Sequence, residues 1–397
     1  MKKISFLTGV CFLVFSCTKS FIKPSAVCVD NPDLIANSTL HPKANEFEAI
    51  LTKYYNKEIP GVTVLVSDSS GLWLGAMGYA DIEHQIPMQP CHIIKTGSIT
   101  KMLIGNLIWQ LVDEGEIDVE MPISNYIPSV ANKITNGNQI KVKMLLNHTS
   151  GIYPIARDLG LNLAVVNDFT RSWNLDEVLS YLTHKPATNF PGERVYYANS
   201  NTIISCLILE AITGKSTNTL LQERIFEPIG MNNSVYYNYA SEFPLNHLAQ
   251  GYLDFNNNSG AIQNISNMNP GSGNGYTGLY STVLDLHLFM KALFVDKTLI
   301  SSNSLDIILG SFVFSESGNW GASSGGINME EIAFFGDSIR AYGHGGGDLG
   351  YSANLIFMEH NNAIVAVCYN YGTQLWTDLG GELGNLKREI YTIVANQ

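Results

Sequence analysis

A serine and a lysine three residues apart, in Ser98-Ile99-Thr100-Lys101, are the first residues of this chain whose types and spacing suit chemistry. Gly97 and Ser98 stand where a helix should begin, and Met102, Leu103, Ile104, Leu107, Ile108, Leu111 and Val112 make that helix apolar on most sides. Residues three apart share a helical face, so Lys101 lies alongside Ser98. A lysine on a buried helix loses hydration, and the positive end of the helix dipole further disfavours its ammonium form. A neutral lysine beside a serine hydroxyl is a general base beside a nucleophile. An isolated Ser-x-x-Lys is more often a helix cap and a surface lysine, so the reading depends on what else the chain carries.

Two further clusters follow in order. Tyr197-Ala198-Asn199 comes just after Pro191-Gly192-Glu193, and His344-Gly345-Gly346-Gly347 lies near the C-terminus. Taken singly, Tyr197 reads as a core aromatic, Asn199 as a helix cap and His344 as a turn residue. Taken together with Ser98 and Lys101, they resemble the serine β-lactamase and DD-peptidase superfamily. The resemblance lies in the branch of class C β-lactamases, D-Ala-D-Ala carboxypeptidases and related esterases, over about residues 44–395. Ile59-Pro60-Gly61, Leu145-Leu146-Asn147-His148-Thr149-Ser150-Gly151, Phe226-Glu227-Pro228-Ile229-Gly230-Met231 and Gly278-Leu279-Tyr280-Ser281-Thr282 also look familiar from that superfamily.

The resemblance implies roles for these residues. Ser98 attacks a carbonyl carbon and forms an acyl-enzyme. Lys101 and Tyr197 divide the proton transfers, as a coupled pair whose division of labour stays open. Asn199 bonds substrate and holds Lys101, His344 completes the proton network, and the N–H groups of Ser98 and Gly347 form an oxyanion hole. Gly345, Gly346 and Gly347 let substrate approach the strand backbone. No metal and no cofactor is implied. The third motif departs from the β-lactamase form, because His344 and Gly345 replace a lysine and a threonine that grip a substrate carboxylate. Arg340, upstream, reads as a solvated strand residue rather than a replacement clamp. D-Ala-D-Ala carboxypeptidase or D-amino-acid-directed peptidase is the leading expectation, followed by esterase, β-lactamase and a non-catalytic penicillin-binding sensor. The partner is a small-molecule or peptide substrate, peptidoglycan-derived compounds included.

Two other residues compete for attention. Gly321-Ala322-Ser323-Ser324-Gly325 fits Gly-x-Ser-x-Gly but lacks the preceding strand and following helix that a nucleophile elbow needs, so it reads as a loop at the cleft rim. His148 reads as structural, at the end of a helix-like segment.

The elements that must hold these residues can be sketched from periodicity. Phe47, Ile50, Leu51, Tyr54 and Tyr55 predict a helix over about 43–56. Strands are expected at 61–66 and 72–77, then at 330–336, 338–343, 351–358 and 362–370. Helices are expected at 99–115, 175–183, 200–213, 218–225, 283–295 and 373–395. Strands at both ends with helices between predict an α+β fold. An antiparallel sheet forms from the N- and C-terminal segments, flanked by helices, with a mainly helical inserted lobe over about 115–280.

Composition narrows the class. The 397 residues are 45% hydrophobic and 15% charged, which is globular, and the formal charge is −12. No cationic run offsets that acidity, so no nucleic acid is expected as a partner. Lys2 and Lys3 followed by the apolar run Ile4–Phe15 read as an export leader, ending at Val14-Phe15-Ser16-Cys17. That tetrapeptide resembles a bacterial lipobox, with Cys17 lipidated after cleavage. Residues 1–17 are then a signal peptide, 18–41 a tether and 42–397 the hydrolase domain of a periplasmic, membrane-anchored lipoprotein. Cys206 and Cys368 sit in apolar runs and read as core thiols, whereas Cys28 and Cys91 are a pair that an oxidising compartment can join.

Overall fold

The computed structural model describes residues 21–28, 38–55, 57, 59–238, 241–255, 262–269, 275–314, 322–334, 337–373 and 377–396. The leader and Cys17 lie outside them. Eight antiparallel strands make the main sheet: β1 (Gly61–Asp68), β2 (Gly71–Asp81), β3 (Ile86–Pro87), β4 (Ala322–Ser324), β5 (Ile327–Phe334), β6 (Asp337–Asp348), β7 (Tyr351–Met358) and β8 (Ala363–Tyr369). Their order across the sheet is β3-β2-β1-β8-β7-β6-β5-β4. The two ends of the chain meet at the β1–β8 ladder, where Val64 lies opposite Val367. The expected α+β architecture is therefore the observed one.

Strand alternation sends side chains to two cores. Val62, Val64, Val66, Val365 and Val367 face helices α1 (Ala44–Tyr55) and α4 (Asp378–Ala395), whose apolar stripes include Phe47, Leu51, Leu386 and Ile390. Leu65, Ile364, Ala366 and Cys368 face the helical side, which contains α2 (Thr100–Asp113) and α3 (Asn199–Thr213). Every residue of β8 is buried because both faces are covered. The helix Val283–Met290 packs directly on β1 and β8, so the helical lobe is continuous with the sheet. Among the described residues no helix is long and apolar enough to cross a membrane.

Two expectations change, and one open pairing is made. The tether expected over 18–41 is part of the body at its described residues, 21–28 and 38–41. Ile22, Ser25 and Cys28 are buried, Ser25 Oγ donates to the Leu248 carbonyl at 2.6 Å, and Ala26 N–H donates to the Asn246 carbonyl at 3.1 Å. Ile22, with Phe21 against it, packs among Ile93, Phe243, Leu248 and Tyr280, an anchor too short to carry an apolar period. Ser38 and His41 are buried as well, leaving 18–20 and 29–37 outside the described residues. Cys28 is joined to Cys91 by a disulfide. The loop expected around Ser323 is strand β4, turned back onto β5 through Gly325-Gly326. An antiparallel hairpin at this place also lacks the strand-to-helix context of a nucleophile elbow.

Candidate active site

The nucleophile corner is built by short pieces. Ile94–Lys95 pairs with Leu279–Ser281, and Thr96 N–H donates to the Leu279 carbonyl at 2.9 Å. The chain then makes a 3₁₀ turn, Gly97–Ile99, that leads into α2. Gly97 has φ of +56°, which a side chain resists. Ser98 is half-buried at the N-terminus of α2, and Lys101 is buried in its first turn.

Lys101 Nζ donates to Ser98 Oγ at 2.9 Å and to the Tyr276 carbonyl at 2.9 Å. Tyr197 OH donates to Ser98 Oγ at 3.0 Å. Burial pulls the Lys101 pKa down to about 7, against the opposing pull of the Asp348 charge. Burial pushes the Tyr197 phenol well above its ordinary value, with the Ser98 hydrogen bond acting the other way. Near neutral pH the lysine therefore has an accessible neutral form, and the tyrosine stays protonated.

Tyr197 is held from behind by His148. The His148 ring lies 4.4 Å from the Tyr197 ring, and its carbonyl accepts the Tyr196 N–H at 2.8 Å. His148 Nδ1 accepts from Asn201 Nδ2 at 2.9 Å, which leaves the proton on Nε2. Burial, reinforced by the Lys101 charge, lowers its pKa to about 3. The structural role expected of His148 thus has a specific object. The sequence carried no signal for it, since nothing local links His148 to Tyr197.

Asn199 opens α3, and its Oδ1 is buried without a hydrogen-bond partner. The hydrogen bonds of Lys101 go to Ser98 and Tyr276 instead, so the expected grip of Asn199 on Lys101 is not made in this structure. An orphaned buried carbonyl is costly, and a substrate N–H would satisfy it.

The third motif lies on β6. His344 is buried, its Nδ1 donates to the Gly345 carbonyl, and burial lowers its pKa to about 4. Its ring centroid is 6.2 Å from that of Tyr197. Gly346 shares its face of the sheet by alternation, whereas Gly345 is turned toward Asn354, which accepts from Lys387 of α4. Gly347 is exposed. A Cβ on Gly346 would fall 1.8 Å from the Thr96 carbonyl oxygen and 3.1 Å from Ser98 N, and one on Gly97 would fall 2.7 Å from Gly347 N. The segments Thr96–Ser98 and Gly346–Gly347 thus abut backbone to backbone, with both candidate oxyanion donors on the seam. Arg340, on the same strand four residues before His344, is exposed, and four strand residues are about 13 Å.

A serine with a buried lysine and a tyrosine on its oxygen, set between an antiparallel sheet and a helical lobe, is the arrangement expected of the serine β-lactamase and DD-peptidase superfamily. The chain belongs to the Beta-lactamase family, whose model matches residues 47–378. It is 26% identical to the putative penicillin-binding protein PbpX of Bacillus subtilis over 64% of this chain and 59% of that one. It is 23% identical to penicillin-binding protein 4 of Amycolatopsis lactamdurans over 85% of this chain and 87% of that one. Among solved structures, the D-amino acid amidase of Ochrobactrum anthropi SV3 complexed with D-phenylalanine superposes with a TM-score of 0.78, at 22% identity, over 89% of this chain and 99% of that one. The fold is thus shared with an amidase, and the chain spans only part of the length of PbpX.

Proposed function

We propose that this protein is an exported serine hydrolase that cleaves amide bonds of D-amino-acid compounds through an acyl-enzyme on Ser98. The carrying observation is that Lys101 Nζ and Tyr197 OH both reach Ser98 Oγ while burial brings the lysine pKa to about 7. Neutral Lys101 takes the Ser98 proton as Oγ bonds to the carbonyl carbon. The N–H groups of Ser98 and Gly347 receive the oxyanion. Tyr197 passes a proton to the departing nitrogen, and water then attacks the ester, its proton returning through the same pair. Asn199 Oδ1 accepts the substrate amide. The D-amino-acid direction is supported by the amidase fold match and the penicillin-binding relatives.

His344 favours a substrate without a free carboxylate at the scissile end. It is neutral near pH 7 where a clamp would need a cation, and Arg340 lies too far along the strand. An amidase or peptidase therefore ranks above a D-Ala-D-Ala carboxypeptidase or a β-lactamase, and an esterase is the second reading. The Cys28–Cys91 disulfide supports an oxidising compartment, in line with export and a lipid anchor at Cys17. The test is turnover of D-alanine amide, L-alanine amide, an acyl-D-Ala-D-Ala peptide and an activated ester by the purified protein. Faster turnover of the D-amide than of the other two amino-acid substrates is expected. Preference for the L-amide, or turnover of the ester alone, contradicts the substrate assignment.

A further inference from the structure

Lys95 and Asp348, which flank the seam in sequence, form a buried ionic contact, with Nζ 3.0 Å from Oδ2 and side-chain exposures of 1% and 4%. The other carboxylate oxygen accepts the Leu349 N–H at 2.8 Å. Taking both charges out of water is expensive, and burial alone pulls the Lys95 ammonium toward neutrality against the hold of Asp348. An apolar pair of similar volume is commonly as stable as a buried ion pair, so stability is a poor explanation for this one.

Its position suggests another. Lys95 immediately precedes the seam segment Thr96–Ser98, and Asp348 immediately follows Gly346–Gly347 on β6. The pair therefore closes one end of the place where the two backbones abut. The Ser98 side of the seam is not a ladder strand of the main sheet. It is a turn hung from the Leu279 carbonyl by Thr96, with Gly97 in a left-handed conformation. Removing side chains at Gly97 and Gly346 lets the segments approach, but an absent side chain sets no lower or lateral limit on their alignment. A charge pair with a fixed contact distance does.

We propose that the Lys95–Asp348 pair is a positioning device that fixes the separation of the Ser98 and Gly347 N–H groups and thereby tunes the oxyanion hole. The inference rests on Ser98 being the nucleophile. Lys95 and Asp348 touch no substrate in this account; they act through the two backbone donors, and because the Asp348 charge also raises the Lys101 pKa, every variant is assayed on the pH plateau above the Lys101 limb. A hole set for oxygen binds the longer, weaker-accepting sulfur of a thionoester poorly, so the ratio of ester to thionoester rates reads its fit.

The experiment compares 4-nitrophenyl acetate with its thiono analogue in the wild type, Lys95→Met/Asp348→Leu, Lys95→Arg and Asp348→Glu. Lys53→Met, which breaks the exposed pair with Glu389, is the control. The double variant is expected to keep a Tm near that of the wild type. Its kcat on the oxygen ester should fall about 100-fold, the loss typical of one oxyanion donor, with KM little changed. The thionoester rate should fall by less than about 10-fold, so the ratio shrinks about 10-fold or more. Lys95→Arg should recover most of the rate, and Lys53→Met should match the wild type. Should the double variant fail to fold, Asp348→Glu, which keeps the charge and lengthens the arm, is expected to shrink the ratio too. A folded double variant, or a folded Asp348→Glu, with the wild-type ratio overturns the proposal. Ser98→Ala, run alongside, is expected to turn over neither ester. Turnover in that variant would overturn the nucleophile assignment on which the proposal stands, and is separable from a failure of the pair.

Discussion

On the lobe side of Ser98 the neighbours are side chains: Lys101, Tyr197 and, behind Tyr197, His148. On the sheet side they are backbone: Thr96 and Gly97 against Gly346 and Gly347. The lobe side works by desolvation, which brings Lys101 down to about 7 and keeps His148 neutral. The sheet side works by removal of side chains, so that two N–H groups can lie on one seam. In the mechanism we propose, the first arrangement moves protons and the second receives charge. A substitution should therefore fail differently on each side.

The largest effect is expected from Lys101→Met, which preserves the apolar stem and deletes the proposed base. The acylation rate should drop about 10³- to 10⁴-fold, near the upper end of general-base contributions, in a stopped-flow assay with an activated ester. The same base sets a pH limb. If Lys101 acts in its neutral form, as proposed, the acylation rate should fall about tenfold per pH unit below about 7 and level off above it. His148 and His344 titrate near 3 and 4 and add no limb between pH 5 and 8. A rate independent of pH from 5 to 8 would remove the base from Lys101.

Gly346→Ala tests the sheet side. Its Cβ cannot coexist with the Thr96 carbonyl, so the seam must open. A loss of about 10²- to 10³-fold in kcat is expected, the scale of an oxyanion donor, with the pH limb still near 7. A shifted limb with an intact plateau rate would mean that the two sides are not separable. His148→Leu should be milder, lowering kcat about 10-fold at constant KM, because Tyr197 loses its backing and Asn201 loses an acceptor. The smallest effect on rate should come from Cys28→Ser/Cys91→Ser. It opens a link across a sequence separation of 63 and should cost about 4 kcal/mol of stability by the loop-entropy relation, read by urea melts, while kcat changes less than about twofold.

The lobe side was more legible in the sequence than the sheet side, for a physical reason. Ser98 and Lys101 share a helical face, and the apolar run after them announces burial, so their proximity and the lysine's desolvation follow from local pattern. Strands β7 and β8 and helices α1 and α3 are long and periodic enough to be read within a residue or two. The seam is not local. It sets the turn Thr96–Ser98, which follows the two-residue strand Ile94–Lys95, against the end of β6, and a strand that short carries no period. Lys95 and Asp348 look like ordinary charged residues until the sheet closes. His148 was read as structural from its turn, but the ring it supports lies in another segment. The strap at 21–28 resembled a tether because its one apolar anchor, Phe21-Ile22, is too short to show a period, and the rest is held by hydrogen bonds and the Cys28–Cys91 link. The third motif was legible as glycine-rich, but not the alternation that turns Gly345 away from Gly346.

The central claim is that Ser98 forms the covalent intermediate. Intact mass spectrometry of the protein incubated with a labelled penicillin or an activated ester, followed by peptide mapping, addresses it directly. One acyl group on the Ser98 peptide, absent from Ser98→Ala, is the predicted result. An adduct on the Ser323 peptide, or ester turnover undiminished in Ser98→Ala, would contradict the account.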